Sequence, residues 1–158
     1  MHRHRAVLLT LLFPLLALLA PSSADAGTSI SGSGEFTQTS FTITGSHQAG
    51  PLTFLSIQET DALTGTLSGT SLIMGECIVF PSGEGKCKAD ETFSGTVEGM
   101  SGTLVFHDVI NIDNNTGSVD GRFQIVRGTA DLAGLRGQGT FSGGGGSGTY
   151  TATLILAG

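Results

Sequence analysis

Beyond its first 26 residues, the chain carries short runs in which apolar and polar residues alternate. Runs rich in Thr, Val, Ile, Phe and Leu are separated by clusters of Gly, Ser, Asn and Asp, and none keeps a helical period. Because side chains two residues apart share a face of a strand, the pattern predicts β-strands. The predicted strands are Gly34–Thr44, Leu52–Leu63, Thr66–Phe80, Lys86–Glu98, Gly102–Asp113, Ser118–Arg127, Gly137–Ser142 and Gly148–Leu156.

Eight consecutive strands with tight links favour an all-β fold of antiparallel neighbours, closed as a barrel or folded as a sandwich. Few charged side chains are present to protect exposed sheet edges, and a barrel has no edges. We therefore expect residues 27–158 to form a single antiparallel eight-stranded β-barrel domain.

Residues 1–26 have the three parts of a secretory signal peptide. A basic start with Arg3 and Arg5 precedes an apolar run over residues 6–20, and Ala24-Asp25-Ala26 supplies the small residues of a cleavage site. The apolar run is shorter than the roughly 20 residues that span a bilayer. We expect cleavage after Ala26, no stable membrane span afterwards, and a secreted or periplasmic protein.

Cys77 and Cys87 are the two cysteines of the chain, and both lie in the part predicted to be exported. The intervening segment reads as two strand ends around a Pro-Ser-Gly turn, which would bring the cysteines opposite each other. In an oxidising compartment such a pair predicts a disulfide.

The chain carries a formal net charge of −6, and its 25 glycines all follow the predicted cleavage site. An acidic balance argues against nucleic acid and anionic membrane surfaces as partners. The glycine-rich segment GTADLAGLRGQGTFSGGGG neither follows an apolar strand nor opens a long helix, so it predicts no phosphate-binding loop. Its Leu132, Leu135 and Phe141 require burial, which argues against disorder.

Two segments carry a more specific pattern, namely ETFSGTVEGMSGTLVFHDV from Glu91 and GTADLAGLRGQGTFSG from Gly128. They resemble a family of small bacterial proteins of unknown function that is related to the allene oxide cyclase barrel and more distantly to dirigent proteins. The resemblance implies an eight-stranded antiparallel barrel. It implies no reaction, since fold does not fix function. No catalytic position of the cyclase matches this chain residue by residue.

If the chain has this fold, the segment DLAGLRG forms a corner between two strands. Leu132 and Leu135 would plug one end of the barrel. Gly134 and Gly137 would adopt backbone angles that other residues avoid.

Four charged residues fall within apolar stripes of the predicted strands: Glu59 and Asp61 in one strand, Asp108 in another and Arg127 in a third. Burial raises the pKa of a carboxyl group unless a cation pairs with it. One hypothesis is that Glu59, Asp108 and Arg127 meet in the mouth of the barrel and bind or polarise a small, largely apolar ligand. The alternatives are a structural ion pair, or a β-bulge that turns these charges toward water.

Other candidate chemistry is weak. His107 lies on the face opposite Asp108 and lacks the partners of a nucleophilic site, so we interpret it as a hydrogen-bonded structural histidine. The segment from Asn111 to Gly121 lacks the order of a calcium loop, and we predict neither a metal site nor a cofactor. Asn114 begins a formal glycosylation sequence in a turn.

These observations predict an exported binding or structural module for a small apolar ligand rather than an enzyme. One alternative is a cyclase- or isomerase-like enzyme that holds its substrate inside the barrel. Another is an envelope or interaction protein with a solid core. The contents of the interior distinguish them, and the sequence does not indicate an oligomeric state.

Overall fold

The computed structural model describes residues 27–156, so the predicted signal peptide and its cleavage site lie outside the described residues. The strands are β1 Thr28–Ala49, β2 Leu52–Gly65, β3 Leu67–Val79, β4 Glu84–Val97, β5 Met100–Asp113, β6 Ser118–Gly128, β7 Arg136–Gly144 and β8 Ser147–Leu156. A three-residue 3-10 turn, Ala130–Leu132, joins β6 to β7. Within residues 27–156, no helix has the length and apolar character needed to cross a membrane.

The eight strands form one antiparallel sheet that closes on itself. Each strand pairs with the next, and β1 also pairs with β8 over Thr28–Thr37, which closes the sheet into a ring. Each of the eight predicted strands overlaps an observed one, so the all-β fold and its antiparallel order are confirmed. We call the closed sheet the ring.

Strand β1 continues beyond its pairing with β8. Strand β8 begins at Ser147, opposite Thr37, whereas β1 runs on to Ala49 with β2 alone as its partner. Among the described strands, residues 39–49 of β1 therefore have a neighbour on one side and a free edge on the other.

One end of the ring is filled by apolar side chains. Leu132 and Leu135 are 0% and 1% exposed, as expected for residues that plug this end. They pack in a core that includes Leu63, Leu67, Phe93, Val97, Leu104, Phe106, Phe123, Ile125, Tyr150 and Leu154. We call this end of the ring the closed end.

Of the two glycines predicted to adopt unusual backbone angles in the corner before β7, one does so. Gly134 has a φ of 85°, which favours glycine. The prediction for Gly137 is wrong, because its φ is not positive. Close packing explains this glycine instead, since a Cβ would lie 2.5 Å from the carbonyl oxygen of Thr153.

Tyr150 on β8 fixes the β2–β3 hairpin across the closed end. Its hydroxyl accepts a hydrogen bond from the Leu67 backbone N–H at 2.7 Å and donates to the Thr64 carbonyl at 3.0 Å. Gly34 leaves room for this ring, because a Cβ there would lie 2.4 Å from the tyrosine oxygen. A single buried hydroxyl thus satisfies backbone groups at a turn that β-pairing leaves unpaired.

The predicted disulfide is confirmed. Cys77 on β3 pairs directly with Cys87 on β4, and their Cα atoms are 4.0 Å apart. Both half-cystines are 3% exposed and pack with Ile57 in a second apolar cluster, away from the closed end. A disulfide is typical of an oxidising, extracytoplasmic environment.

Candidate functional site

The half of the ring away from the closed end contains a cavity of about 390 Å³. The cavity reaches the β5–β6 turn at Asn114 and Gly117 and the β7–β8 turn at Gly145, so it opens at this end. Its lining is mostly apolar and includes Leu55, Ile57, Ile73, Ile110, Ile112 and Phe141. The size is within the range of pockets that bind small molecules, roughly 300–1,000 Å³.

Two apolar side chains reach the cavity because of a bulge in β1. The pairing with β2 slips between Gln38 and Ser40, so that one extra residue, Thr39, reverses the alternation beyond it. Phe41 and Ile43 consequently face the cavity side. They are 48% and 51% exposed, since this part of β1 has no neighbour on its β8 side.

Five carboxyl groups line the cavity. Asp113 lies at its mouth, and four lie deeper, namely Glu59 and Asp61 from β2, Glu91 from β4 and Asp108 from β5. Asp61 and Asp108 are 6% and 4% exposed. Asp61 lies opposite Ser71 of β3 at the edge of the filled core, whereas Asp108 lies nearer to the disulfide. These four deeper residues, which we call the carboxyl layer, lie between the closed end and the outer part of the cavity.

Part of the carboxyl layer is hydrogen-bonded. The Gln38 amide Nε2 donates to Glu59 Oε1 at 2.8 Å, and the Ser71 hydroxyl donates to Glu91 Oε1. Asp61 Oδ1 and Asp108 Oδ1 are buried and have no hydrogen-bond partner among the described residues. A buried polar atom without a partner is rare in proteins, so these two oxygens require an explanation.

Burial perturbs the acidity of the layer. Loss of water raises the pKa of Asp108 to about 8, and the neighbouring Glu91 adds to the rise. The same two causes, burial and then the charge of Glu59, raise the pKa of Asp61 to about 7. Burial also raises the pKa of Glu91, against a lowering by the Ser71 hydroxyl. Near neutral pH the layer therefore holds protons that exposed carboxyl groups would release.

The part of the chain that the structure describes places no cation beside these carboxyl groups. Its five lysine and arginine residues are all exposed: Lys86, Lys88, Arg122, Arg127 and Arg136. None of them lines the cavity. The carboxyl layer is thus an acidic site without an internal counter-ion.

Of the three site residues predicted from the sequence, the structure brings two together. Glu59 and Asp108 both line the cavity, but Arg127 is exposed and lies outside it. A bulge is responsible: Arg127 pairs with Val105, whereas Phe106 pairs with Ile125, so one extra residue of β6 breaks the alternation. The expected meeting of Arg127 with the two carboxyl groups is therefore wrong.

Sequence reasoning also missed members of the site. The alternation of the sequence contains the signal for Glu91, because this residue shares a strand face with the buried Cys87, Ala89 and Phe93. The hydrogen bond from Gln38 depends on the register of β1 against β2, which alternation does not give.

His107 lies on the outer surface. Its Nδ1 is 2.5 Å from Asp90 Oδ1, and both side chains are exposed, at 63% and 70%. The interpretation as a hydrogen-bonded histidine agrees with this contact, and the pair faces away from the carboxyl layer. Among residues 27–156, no group of three or more His, Cys, Asp or Glu side chains is placed to hold a metal ion.

The fold and the site together define a small all-β protein whose closed sheet surrounds an acidic cavity open at one end. The chain belongs to the family described as "Protein of unknown function (DUF3224)", whose model matches residues 30–154. This confirms the expectation of a family of unknown function.

A solved structure has a similar fold. It is the crystal structure of a protein with unknown function from the DUF3224 family of Shewanella oneidensis MR-1. The two are 18% identical with a TM-score of 0.69, and the match covers 82% of this chain and 98% of that one. No curated protein matches the chain.

Proposed function

We propose that this protein binds a small, largely apolar molecule inside its ring. The observation that carries the proposal is the cavity of about 390 Å³, whose lining is mostly apolar and whose interior polar groups are gathered in the carboxyl layer. Small-molecule sites commonly combine an apolar wall with a few convergent polar groups that orient the ligand.

The exposed side chains at the rim support this function. Phe41 and Ile43 leave about half of their surface in water, although they face the cavity. A ligand with an apolar body would cover them, and burial of apolar surface stabilises a complex by about 25 cal/mol for each Å².

The cavity also bears on the two alternatives. A solid core is hard to reconcile with an open half of the ring, so we do not favour an interaction protein that acts through its loops alone.

A cyclase- or isomerase-like enzyme keeps one supporting observation. A carboxyl group such as Asp108, with a pKa of about 8, remains protonated at neutral pH and could donate a proton to a bound substrate. The likeness to the allene oxide cyclase barrel stays a prediction from the sequence motifs.

We place this function outside the cytoplasm. The signal sequence over residues 1–26 remains a prediction, and the disulfide fits the same location. Amino-terminal sequencing of protein secreted by its host would test cleavage after Ala26.

Ligand binding is tested with an uncharged apolar probe, N-phenyl-1-naphthylamine, whose fluorescence rises on transfer out of water. A Val119→Trp variant fills the mouth of the cavity, where Val119 contributes to the lining. The matched control is Val126→Trp, which adds the same side chain at a half-exposed position outside the cavity. We expect binding to the unchanged protein and to the control, and its loss in Val119→Trp. Equal binding to both variants would place the probe elsewhere and refute the proposal.

A further inference from the structure

We propose that the ligand carries a protonated amine, which the carboxyl layer binds at the inner end of the cavity. This inference rests on the proposed function, because it assigns a chemical class to the molecule that the cavity takes up. It follows from the partners that the layer lacks, from its charge and from the arrangement of polar and apolar walls.

The first step concerns the unpartnered oxygens. Asp61 Oδ1 and Asp108 Oδ1 line the cavity, and both residues are more than nine-tenths buried. They come from strands three steps apart in the ring of eight, and Glu91 of β4 lies close to both, since its charge raises the pKa of each. An ionised carboxyl group accepts hydrogen bonds without donating, whereas an ammonium group offers three N–H donors and no acceptor. An amine therefore matches what the layer is missing.

The second step concerns charge. Glu59, Asp61, Glu91 and Asp108 face one another with no lysine, arginine or histidine among the lining residues in the described part of the chain. A ligand with a carboxylate or phosphate would add a further negative charge beside buried carboxyl groups, which costs energy. A cation removes the repulsion between the carboxyl groups and compensates for their loss of hydration.

The third step concerns shape. The closed end below the layer is filled. The wall directly above it, with Leu55, Ile110 and Ile112, is apolar, and polar residues such as Asp113 and Asn114 line the cavity again only at its open mouth. A ligand must therefore place its polar group inward and its apolar body toward the rim. This order fits an amine attached to a hydrocarbon chain or ring.

Binding of such a cation should depend on pH. The titratable groups that face the site are Glu59 and Asp61 of β2, Glu91 of β4, Asp108 of β5 and Tyr150 of β8, with Asp113 at the rim. Gln38 and Ser71 donate hydrogen bonds to Glu59 and Glu91, and the charge of Asp90 on the outer face of β4 also raises the pKa of Asp108. A cation favours the ionised carboxyl groups, so it must displace the protons that burial retains. The affinity for the cation should therefore rise with pH up to about 8, where the Asp108 carboxyl loses its proton. It should be weaker at a pH below about 7, where Asp61 also holds a proton.

The experiment compares three probes with the same hydrocarbon chain, octylamine, octanol and octanoate, by isothermal titration calorimetry at a pH of about 8, near the pKa of Asp108. We expect octylamine to bind at least about tenfold more tightly than octanol, and octanoate most weakly. Asp61→Asn and Asp108→Asn should each lower the affinity for octylamine by about tenfold or more while leaving octanol nearly unchanged. Asp120→Asn, at an exposed position of β6, is the charge-matched control and should change neither.

The outcomes separate the two proposals. If none of the three probes binds, the proposed function itself fails and the amine assignment fails with it. If octanol or octanoate binds as tightly as octylamine, the cavity remains a ligand site and the amine assignment is overturned. If calcium chloride alone gives a heat of binding that disappears in both Asn variants, the amine assignment is also overturned, in favour of a metal ion.

Far-ultraviolet circular dichroism verifies that each variant is folded, and the two independent substitutions keep the test decisive if one of them fails to fold.

Discussion

Replacing Asp108 by asparagine should make the protein more stable at neutral pH and weaken the dependence of its stability on pH. The carboxyl group of Asp108 is 4% exposed and lacks a partner for one oxygen. Its pKa rises from 3.8 to about 8 on folding, chiefly through burial. The folded protein therefore binds a proton that the unfolded chain releases throughout the interval between these values. The stability that this proton contributes is fully present below a pH of 3.8, and it is lost progressively as the pH rises toward 8.

The expected magnitude follows from the proton count. One proton retained on folding changes the free energy of unfolding by about 1.4 kcal/mol for each pH unit. From about pH 5 to about pH 7, a span inside the interval, Asp108 should therefore lower the stability by about 3 kcal/mol. Asparagine keeps the shape, does not ionise, and can donate an N–H to Glu91. The advantage of Asp108→Asn over the unchanged protein should widen by about 3 kcal/mol across the same span.

The assay is urea unfolding followed by circular dichroism at several pH values over this span, with the free energy extrapolated to water. The control is Asp120→Asn, which removes an exposed carboxyl group and should follow the unchanged protein at every pH. Parallel curves for Asp108→Asn and the unchanged protein would refute the reasoning, because they would mean that Asp108 binds no extra proton on folding.

Three further predictions concern the frame of the ring. Leu132→Ala should cost about 2–5 kcal/mol, since a fully buried side chain would leave a cavity at the closed end; urea unfolding measures this. Tyr150→Phe should cost about 1–3 kcal/mol, because the Leu67 backbone N–H loses its buried acceptor; amide hydrogen exchange at Leu67 should accelerate. Joint replacement of Cys77 and Cys87 by alanine should lower the free energy of unfolding by about 2–3 kcal/mol, because the unfolded chain gains conformational freedom. Thermal unfolding with and without reductant measures this loss.

Controls accompany these three variants. Ile155→Ala removes an apolar side chain that is 45% exposed, and it should cost much less than Leu132→Ala; similar costs would mean that Leu132 does not act as a plug. Unchanged exchange at Leu67 in Tyr150→Phe would contradict the hydrogen bond. If a reductant lowers the stability of the cysteine-free variant as much as that of the unchanged protein, the loss of stability is not caused by reduction of the disulfide.

Alternation predicted most of the frame because burial on one face of a strand repeats at every second residue. The eight strands and the positions of Glu59 and Asp108 follow from this rule. The rule fails where a strand gains a residue relative to its neighbour, as before Arg127 and at Thr39. Such bulges depend on how two strands pair, which the pattern of a single strand does not contain. Alternation also indicated that a carboxyl group such as Asp108 has a raised pKa, but it did not show which carboxyl groups the closed ring brings together.

The free edge of β1 has a consequence for how the protein behaves in concentrated solution. From residue 39 onward, the backbone groups on one side of this strand have no neighbour among the described strands, and a flat edge of this kind is a template for intermolecular pairing and fibril growth. The extra residues Thr39 and Thr44 interrupt the spacing of those groups and bend the strand. The bulge at Thr39, which turns Phe41 and Ile43 toward the cavity, thus acts together with the one at Thr44 to make the edge a poor surface for self-association.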